Sequence, residues 1–267
     1  MMQALAQSLA QTMAGVEIWL PEGLSLGFAF VLIVTAFFTA ALTAAFGIGG
    51  GVALLAVMAS IVPVAVLIPV HGVVQLGANA GRAMVQWRQV VWPMLGIFTV
   101  GALIGALVGG QLVVTLPEAL LKTFVGLFVL FTLWAPKVKG AKGGPFGLAV
   151  GGVFATILTM FVGATGPFVA ALLAPRLDDR KHYAGTHAAA MVMQHGLKVV
   201  VFGFLGFAFG AWVPVMAAMV AAGFLGTLLG TKLLHALPEE TFRTAFKWVL
   251  TLLAIQLIAS ATWVWLS

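Results

Sequence analysis

The sequence predicts an all-α polytopic membrane protein made of two related halves. Three observations lead there. Of 267 residues, 62% are hydrophobic and only 7% are charged, whereas a soluble domain carries about 25% charged residues. The apolar residues gather in runs long enough to cross a bilayer, with a mean hydropathy of +1.14. Two of these runs are interrupted by glycine-rich breaks at matching places in the two halves.

The elements follow in chain order. Residues 1–23 form an N-terminal interfacial segment. Leu5, Leu9 and Met13 recur at helical spacing with Gln3, Gln7 and Gln11 between them, and residues 1–22 hold no Lys or Arg, so a secretory signal is not expected. The first transmembrane repeat, 24–135, opens with the run Leu24–Phe46. The stretch Gly47-Ile48-Gly49-Gly50-Gly51 breaks it, and a short apolar piece, Val52–Val62, ends at Pro63. Runs near 64–86, 90–114 and 117–135 complete the repeat. A basic loop, 136–145, carries Lys137, Lys139 and Lys142. The second transmembrane repeat, 146–267, has a run near 146–162 and the break Gly163-Ala164-Thr165-Gly166-Pro167. The short piece Phe168–Ala174, the polar loop Arg176–His182 and runs near 183–208, 211–234 and 241–266 follow. A span needs about 20 residues, so the two short pieces cannot cross at full depth. Paired short segments broken by Gly or Pro are the best sequence pointer to a transporter site.

The halves align by hand. Gly47, Gly50, His71 and Arg82 map onto Gly163, Gly166, His187 and Lys198 with one offset. Pro93, Gly105, Gly109, Leu116-Pro117-Glu118 and Lys122 map onto Pro214, Gly226, Gly230, Leu237-Pro238-Glu239 and Arg243 with a second, after an insertion around 201–212. Arg88, the Lys137–Lys142 loop and the Arg176–Lys181 loop share one side if each broken unit crosses twice. That satisfies the positive-inside rule, gives each half five segments and makes the repeats inverted. Re-entrant short pieces would instead leave eight spans and parallel repeats.

Polar residues inside the apolar runs are functional candidates, because ionisable groups at membrane depth are costly. His71, Gln75, Asn79 and Arg82 share one helical face, and His187, Gln194 and Lys198 repeat it. All seven acids (Glu17, Glu22, Glu118, Asp178, Asp179, Glu239 and Glu240) lie outside the apolar runs. A cation carrier would need a buried carboxylate. Here the buried charge is positive and has no acidic partner in the runs. Lys198 must therefore sit neutral or meet an anionic ligand, and the second option predicts an anion transporter. The breaks fit that reading. Gly49, Gly50 and Gly51 expose backbone amides before a short helix, while Thr165 can cap the second short helix, with Gly166 and Pro167 in its first turn. The Gly101–Gly109 glycines sit inside an unbroken span and suit close helix packing instead.

These breaks, together with the Leu-Pro-Glu turns, resemble the sulfite exporter TauE/SafE family across roughly residues 24–266. The resemblance implies a bacterial inner-membrane permease with two related halves. It also implies transport of small sulfur oxyanions, sulfite or organosulfonates, with export as the expected direction. The function expected is therefore export of a small sulfur-containing anion by alternating access at a midplane site. The candidate binding residues are Gly49, Gly50, Gly51, His71, Gln75, Asn79, Arg82, Thr165, Gly166, His187, Gln194 and Lys198.

The competing readings are an uptake permease for an organosulfonate or other small anion, and a non-transporting accessory subunit. An enzyme is not expected. The chain has no cysteine and no pair of membrane carboxylates. Its histidines also lack the His-Glu-x-x-His arrangement of helical zinc proteases. No cofactor and no metal are expected. The net charge of +6 flanks the apolar runs and points to the bilayer, not to nucleic acid. The expected partners are a small sulfur anion, the lipid bilayer and a second copy of the chain docked through small-residue faces.

Overall fold

The computed structural model describes residues 19–46, 49–113, 115–134, 143–233 and 239–266. The expected N-terminal interfacial helix, the Lys137–Lys142 loop, Gly47, Ile48 and the second Leu-Pro turn lie outside the described residues. Among the described residues there are ten α-helices and no strand. They are α1 (Leu26–Phe46), α2 (Gly50–Ala59), α3 (Val64–Val85), α4 (Trp92–Val113) and α5 (Glu118–Trp134), then α6 (Pro145–Val162), α7 (Gly166–Leu173), α8 (Arg180–Phe204), α9 (Phe209–Leu233) and α10 (Glu239–Leu266). Five of them, α1, α3, α4, α6 and α9, are long and apolar enough to cross a bilayer. The chain is a multi-pass membrane protein. Its outer faces expose Phe30, Leu107, Phe131, Phe154 and Leu252 to lipid, and Trp87, Trp92, Trp134 and Trp263 sit exposed at or beside helix ends, where interfacial indoles belong.

The short helices begin where the breaks demand. Gly49 has φ of 108°, a conformation that strains a residue with a Cβ, and it is the residue from which α2 starts. Gly163, φ 78°, ends α6 with its amide bonded to the Thr159 carbonyl at 3.0 Å. With 10 and 8 residues, α2 and α7 extend only about 15 and 12 Å. Both fold back. A Cβ on Gly50 would lie 1.9 Å from the Thr39 carbonyl oxygen, so α2 starts beside the middle of α1 and not beyond its end. Likewise Gly151, far from the end of α6, meets Leu172 near the end of α7. Gly50, Val52–Ala56, Met58 and Ala59 are buried, so α2 is enclosed by protein, as a helix ending at membrane depth must be.

The halves interlock. α4 packs along α6 and α1 along α9, so each half lays its first helix against the other's fourth. α3 packs on α8, and α5 on α10. The α3–α8 contacts join Gly72 to Lys198 and bring Arg82 and His187 to one cavity, an antiparallel register. The α5–α10 contacts join Gly126 to Ile258 and Trp134 to Thr251, antiparallel again.

The glycine stripe Gly101, Gly105 and Gly109 is used within the chain. Cβ atoms there would lie 1.9 Å from the Ala149 carbonyl oxygen, 2.4 Å from that of Val153 and 3.0 Å from the Ile157 Cα of α6. Gly226 does the same on α9, with the Phe37 carbonyl oxygen at 2.1 Å. The small-residue face that suggested a second copy of the chain is therefore occupied by the other half.

Candidate functional site

Where α2, α3, α7 and α8 meet, the two breaks and the polar faces of α3 and α8 line a small, partly open cavity. Eight of the twelve sequence-predicted residues line it: Gly49, Gly51, His71, Gln75, Asn79, Arg82, Gly166 and His187. Gly50 lines an adjoining small cavity that shares Thr43, Gln75 and Arg82. Thr165, Gln194 and Lys198 sit behind the wall, each fully buried, and are not among the residues lining either cavity.

The histidines hold the breaks. His71 Nε2 lies 2.9 Å from the Gly51 carbonyl oxygen, and His187 Nε2 lies 3.1 Å from that of Gly166. A carbonyl oxygen only accepts, so each Nε2 carries a proton and donates. Each half thus ties the first turn of its short helix to its third helix with the same bond. Substituting either ring by Phe is expected to lower the melting temperature, with His71→Phe the larger loss because His71 is wholly buried. Melting in detergent checks the order.

The cations diverge. Arg82 is half-buried and donates from Nη2 to Asn79 Oδ1 at 2.8 Å, while Asn79 Nδ2 donates to the Gln75 carbonyl at 2.7 Å. Lys198, at the equivalent position, is fully buried. Its Nζ donates to the Gly163 carbonyl oxygen at 2.8 Å and lies 3.5 Å from His195 Nδ1. Gly72 makes room for the Lys198 stem, since a Cβ there would stand 2.9 Å from Lys198 Cδ. The partner that acidic residues do not supply is the carbonyl end of α6, whose dipole is negative. Replacing Lys198 by Met should therefore fold with a lowered melting temperature. Lys198→Glu should not accumulate folded protein, because its carboxylate would face that carbonyl.

Thr165 stands at the N-cap of α7 but makes no side-chain cap bond. Its hydroxyl donates to Gln194 Oε1 at 3.1 Å, and Gln194 Nε2 donates to Thr156 Oγ1 at 3.1 Å. The capping expectation fails because a buried amide oxygen competes for the hydroxyl. Gln194 braces the α7 break, whereas Gln75 lies against Gly51 and lines the cavity. Sequence reasoning missed Thr43, Met191 and His195 as lining residues. The repeat offset already carried the signal for His195, since it sets Asn79 against His195. The two residues even make the same i,i+3 contact with their cations, Arg82 and Lys198.

Among the described residues no ion pair joins a carboxylate to Arg82 or Lys198; the pairs found are Lys122–Glu118 and His182–Asp179. The cavity lining contains no Asp or Glu. It offers a guanidinium, backbone amides at a helix start and imidazole edges, a set that suits an anion.

A profile described as "Sulfite exporter TauE/SafE" matches residues 32–257. A curated relative, "Probable inner membrane transporter protein TsaS" of Comamonas testosteroni, is 29% identical over 184 residues, covering 65% of this chain and 72% of the relative. No solved structure matches.

Proposed function

This chain belongs to the sulfite exporter TauE/SafE family and is a membrane transporter of that type; from that premise we propose that it exports a small sulfur-containing anion, sulfite or an organosulfonate, across the bacterial inner membrane. The observation that carries the proposal is the acid-free cavity between the two breaks, with Arg82 as its half-buried cation. The anion sits against Arg82 and the amides that begin α2, flanked by Gln75, Asn79, His71 and His187. Gly49, Gly51 and Gly166 let the backbone come close. Gly50, Thr165, Gln194 and Lys198 set the position of the breaks from behind.

The mechanism proposed is alternating access between inverted halves. The antiparallel pairing of α3 with α8 and of α5 with α10 supports inversion, since repeats related by an axis along the membrane normal would align their equivalent helices in parallel. Both short helices, pinned by His71 and His187, converge on the cavity from opposite halves, so a rocking of one half against the other can open it to either side. Outward movement needs no further coupling, because the potential favours exit of each negative charge by about 2.3 kcal/mol per 100 mV.

Reconstitution into liposomes loaded with sulfite tests this. Efflux is expected, and it should accelerate when a potassium diffusion potential makes the lumen negative. Efflux no faster than from protein-free vesicles would overturn the reading.

A further inference from the structure

Between α3 and α9 an apolar groove of about 810 Å³ opens on the lipid-facing side. Its α3 wall runs from Val73 to Val85, about 18 Å along the helix axis. One leaflet of bilayer hydrocarbon is about 15 Å deep, so the groove reaches from the end of α3 to about the middle of the membrane. The two helices touch at Gly77, where a Cβ would stand 2.8 Å from Val220 Cγ1. One turn on, nothing lies within 4 Å of a Cβ on Gly81, and Ala221 and Phe224 are exposed on α9. The helices therefore part toward the end that carries Arg82. Arg82 is the charged residue of the groove lining, which contains no Asp or Glu. It also lines both cavities of the anion site. It lies within the last turn of α3, and beyond that end Trp87, Arg88 and Trp92 are exposed, with the Arg88 guanidinium 5.5 Å from the Trp87 ring centroid. Indoles and cations at a helix end mark the headgroup level.

We propose, building on the anion site above, that an anionic phospholipid lays an acyl chain in the α3–α9 groove, sets its phosphate on Arg82 and so competes with the transported anion for that guanidinium. The fit is in shape and in charge. An apolar slot one leaflet deep takes the chain, and the guanidinium at its headgroup end takes the phosphate through its planar fork. A zwitterionic head carries its own cation beside the phosphate, whereas an anionic head leaves its charge to Arg82 and, at the rim, Arg88. A free phosphate meets the same guanidinium but gains nothing from the groove. Arg82 already spends one donor on Asn79, and the rest of the fork cannot serve a lipid phosphate and an anion in the cavity equally. Lipid seated in the groove therefore weakens anion binding, and by linkage the anion weakens lipid binding by the same factor.

The purified protein in detergent is titrated with phosphatidylglycerol, with phosphatidylcholine of the same chains and with glycerol 3-phosphate, with melting temperature as the readout. Sulfite is then titrated at each lipid level. Phosphatidylglycerol should bind about tenfold more tightly than phosphatidylcholine, and glycerol 3-phosphate should not match it at equal concentration. Ala221→Phe fills the groove from α9. Ala221 is exposed and lines neither cavity of the anion site, so the variant should fold and bind sulfite as wild type does. It should weaken phosphatidylglycerol about tenfold by displacing chain methylenes. Ala217→Phe, also exposed in the groove one turn away, should act alike. In wild type, phosphatidylglycerol near saturation should raise the apparent Kd for sulfite about tenfold, and in Ala221→Phe the same lipid level should raise it far less. Equal stabilisation by the two phospholipids overturns the inference, and so does equal stabilisation by glycerol 3-phosphate, which would make the ligand a free phosphate. Undiminished phosphatidylglycerol binding by both variants overturns it by placing the lipid elsewhere. A sulfite affinity that no lipid changes overturns the competition at Arg82. If lipid-free wild type binds no sulfite, the anion site itself fails, which is a distinct result, and the two phospholipids and the two variants still decide whether the groove is a lipid seat.

Discussion

Replacing Arg82 by Ala is expected to abolish anion-dependent stabilisation and sulfite efflux while the protein still folds. The guanidinium is half-buried at the junction of both cavities, with one bond to Asn79 and no carboxylate partner among the described residues. Its removal leaves no unpaired buried charge behind, so the fold should tolerate it. The ligand, in contrast, loses two charge-assisted hydrogen bonds of roughly 1.5–3 kcal/mol each, together about a hundredfold or more in apparent Kd. Arg82→Lys keeps the charge but loses the planar fork and should lie between wild type and Ala. Isothermal titration of purified variants with sulfite, alongside their unliganded melting curves, decides the matter. If Arg82→Ala binds sulfite as wild type does, the cavity is not the anion site.

The second large effect concerns two glycines at close backbone contacts, Gly101 between the halves and Gly50 within the first. Gly101→Ala and Gly50→Ala should each prevent accumulation of folded protein. Each new Cβ would meet a backbone carbonyl oxygen 1.9 Å away, that of Ala149 or Thr39. Backbone cannot rotate aside as a side chain can, so the helices must separate. α4 would lift from α6, or α2 from α1, at a cost of about 3 kcal/mol or more. Gly96→Ala, on the same helix as Gly101 but with nothing within 4 Å of its Cβ, is the control and should melt at or above the wild-type temperature. Size-exclusion profiles and melting curves of the three variants read this directly. Monodisperse, stable Gly101→Ala protein would contradict the close packing of the halves.

The control shows why the glycines could be sorted only in part from sequence. Composition and run length determined that the chain is helical and membrane-spanning, because the bilayer imposes one length and one backbone solution on every span. The repeat placed two short helices after two breaks, and the structure has them at Gly50–Ala59 and Gly166–Leu173. The polar faces of α3 and α8 were also legible, since a face follows from helical spacing alone. What depends on partners was not legible. Lys198 reads as an unpaired charge in one dimension, and its partner is a backbone carbonyl 35 positions earlier, invisible to any count of acids. Thr165 reads as a cap until Gln194 arrives to take its hydroxyl. The Gly101 stripe reads equally as a dimer face or an internal one until α6 lies on it. Local spacing fixes which groups share a surface. Only the packing of one half on the other decides which of them meet a partner, which meet lipid and which are left facing a cavity.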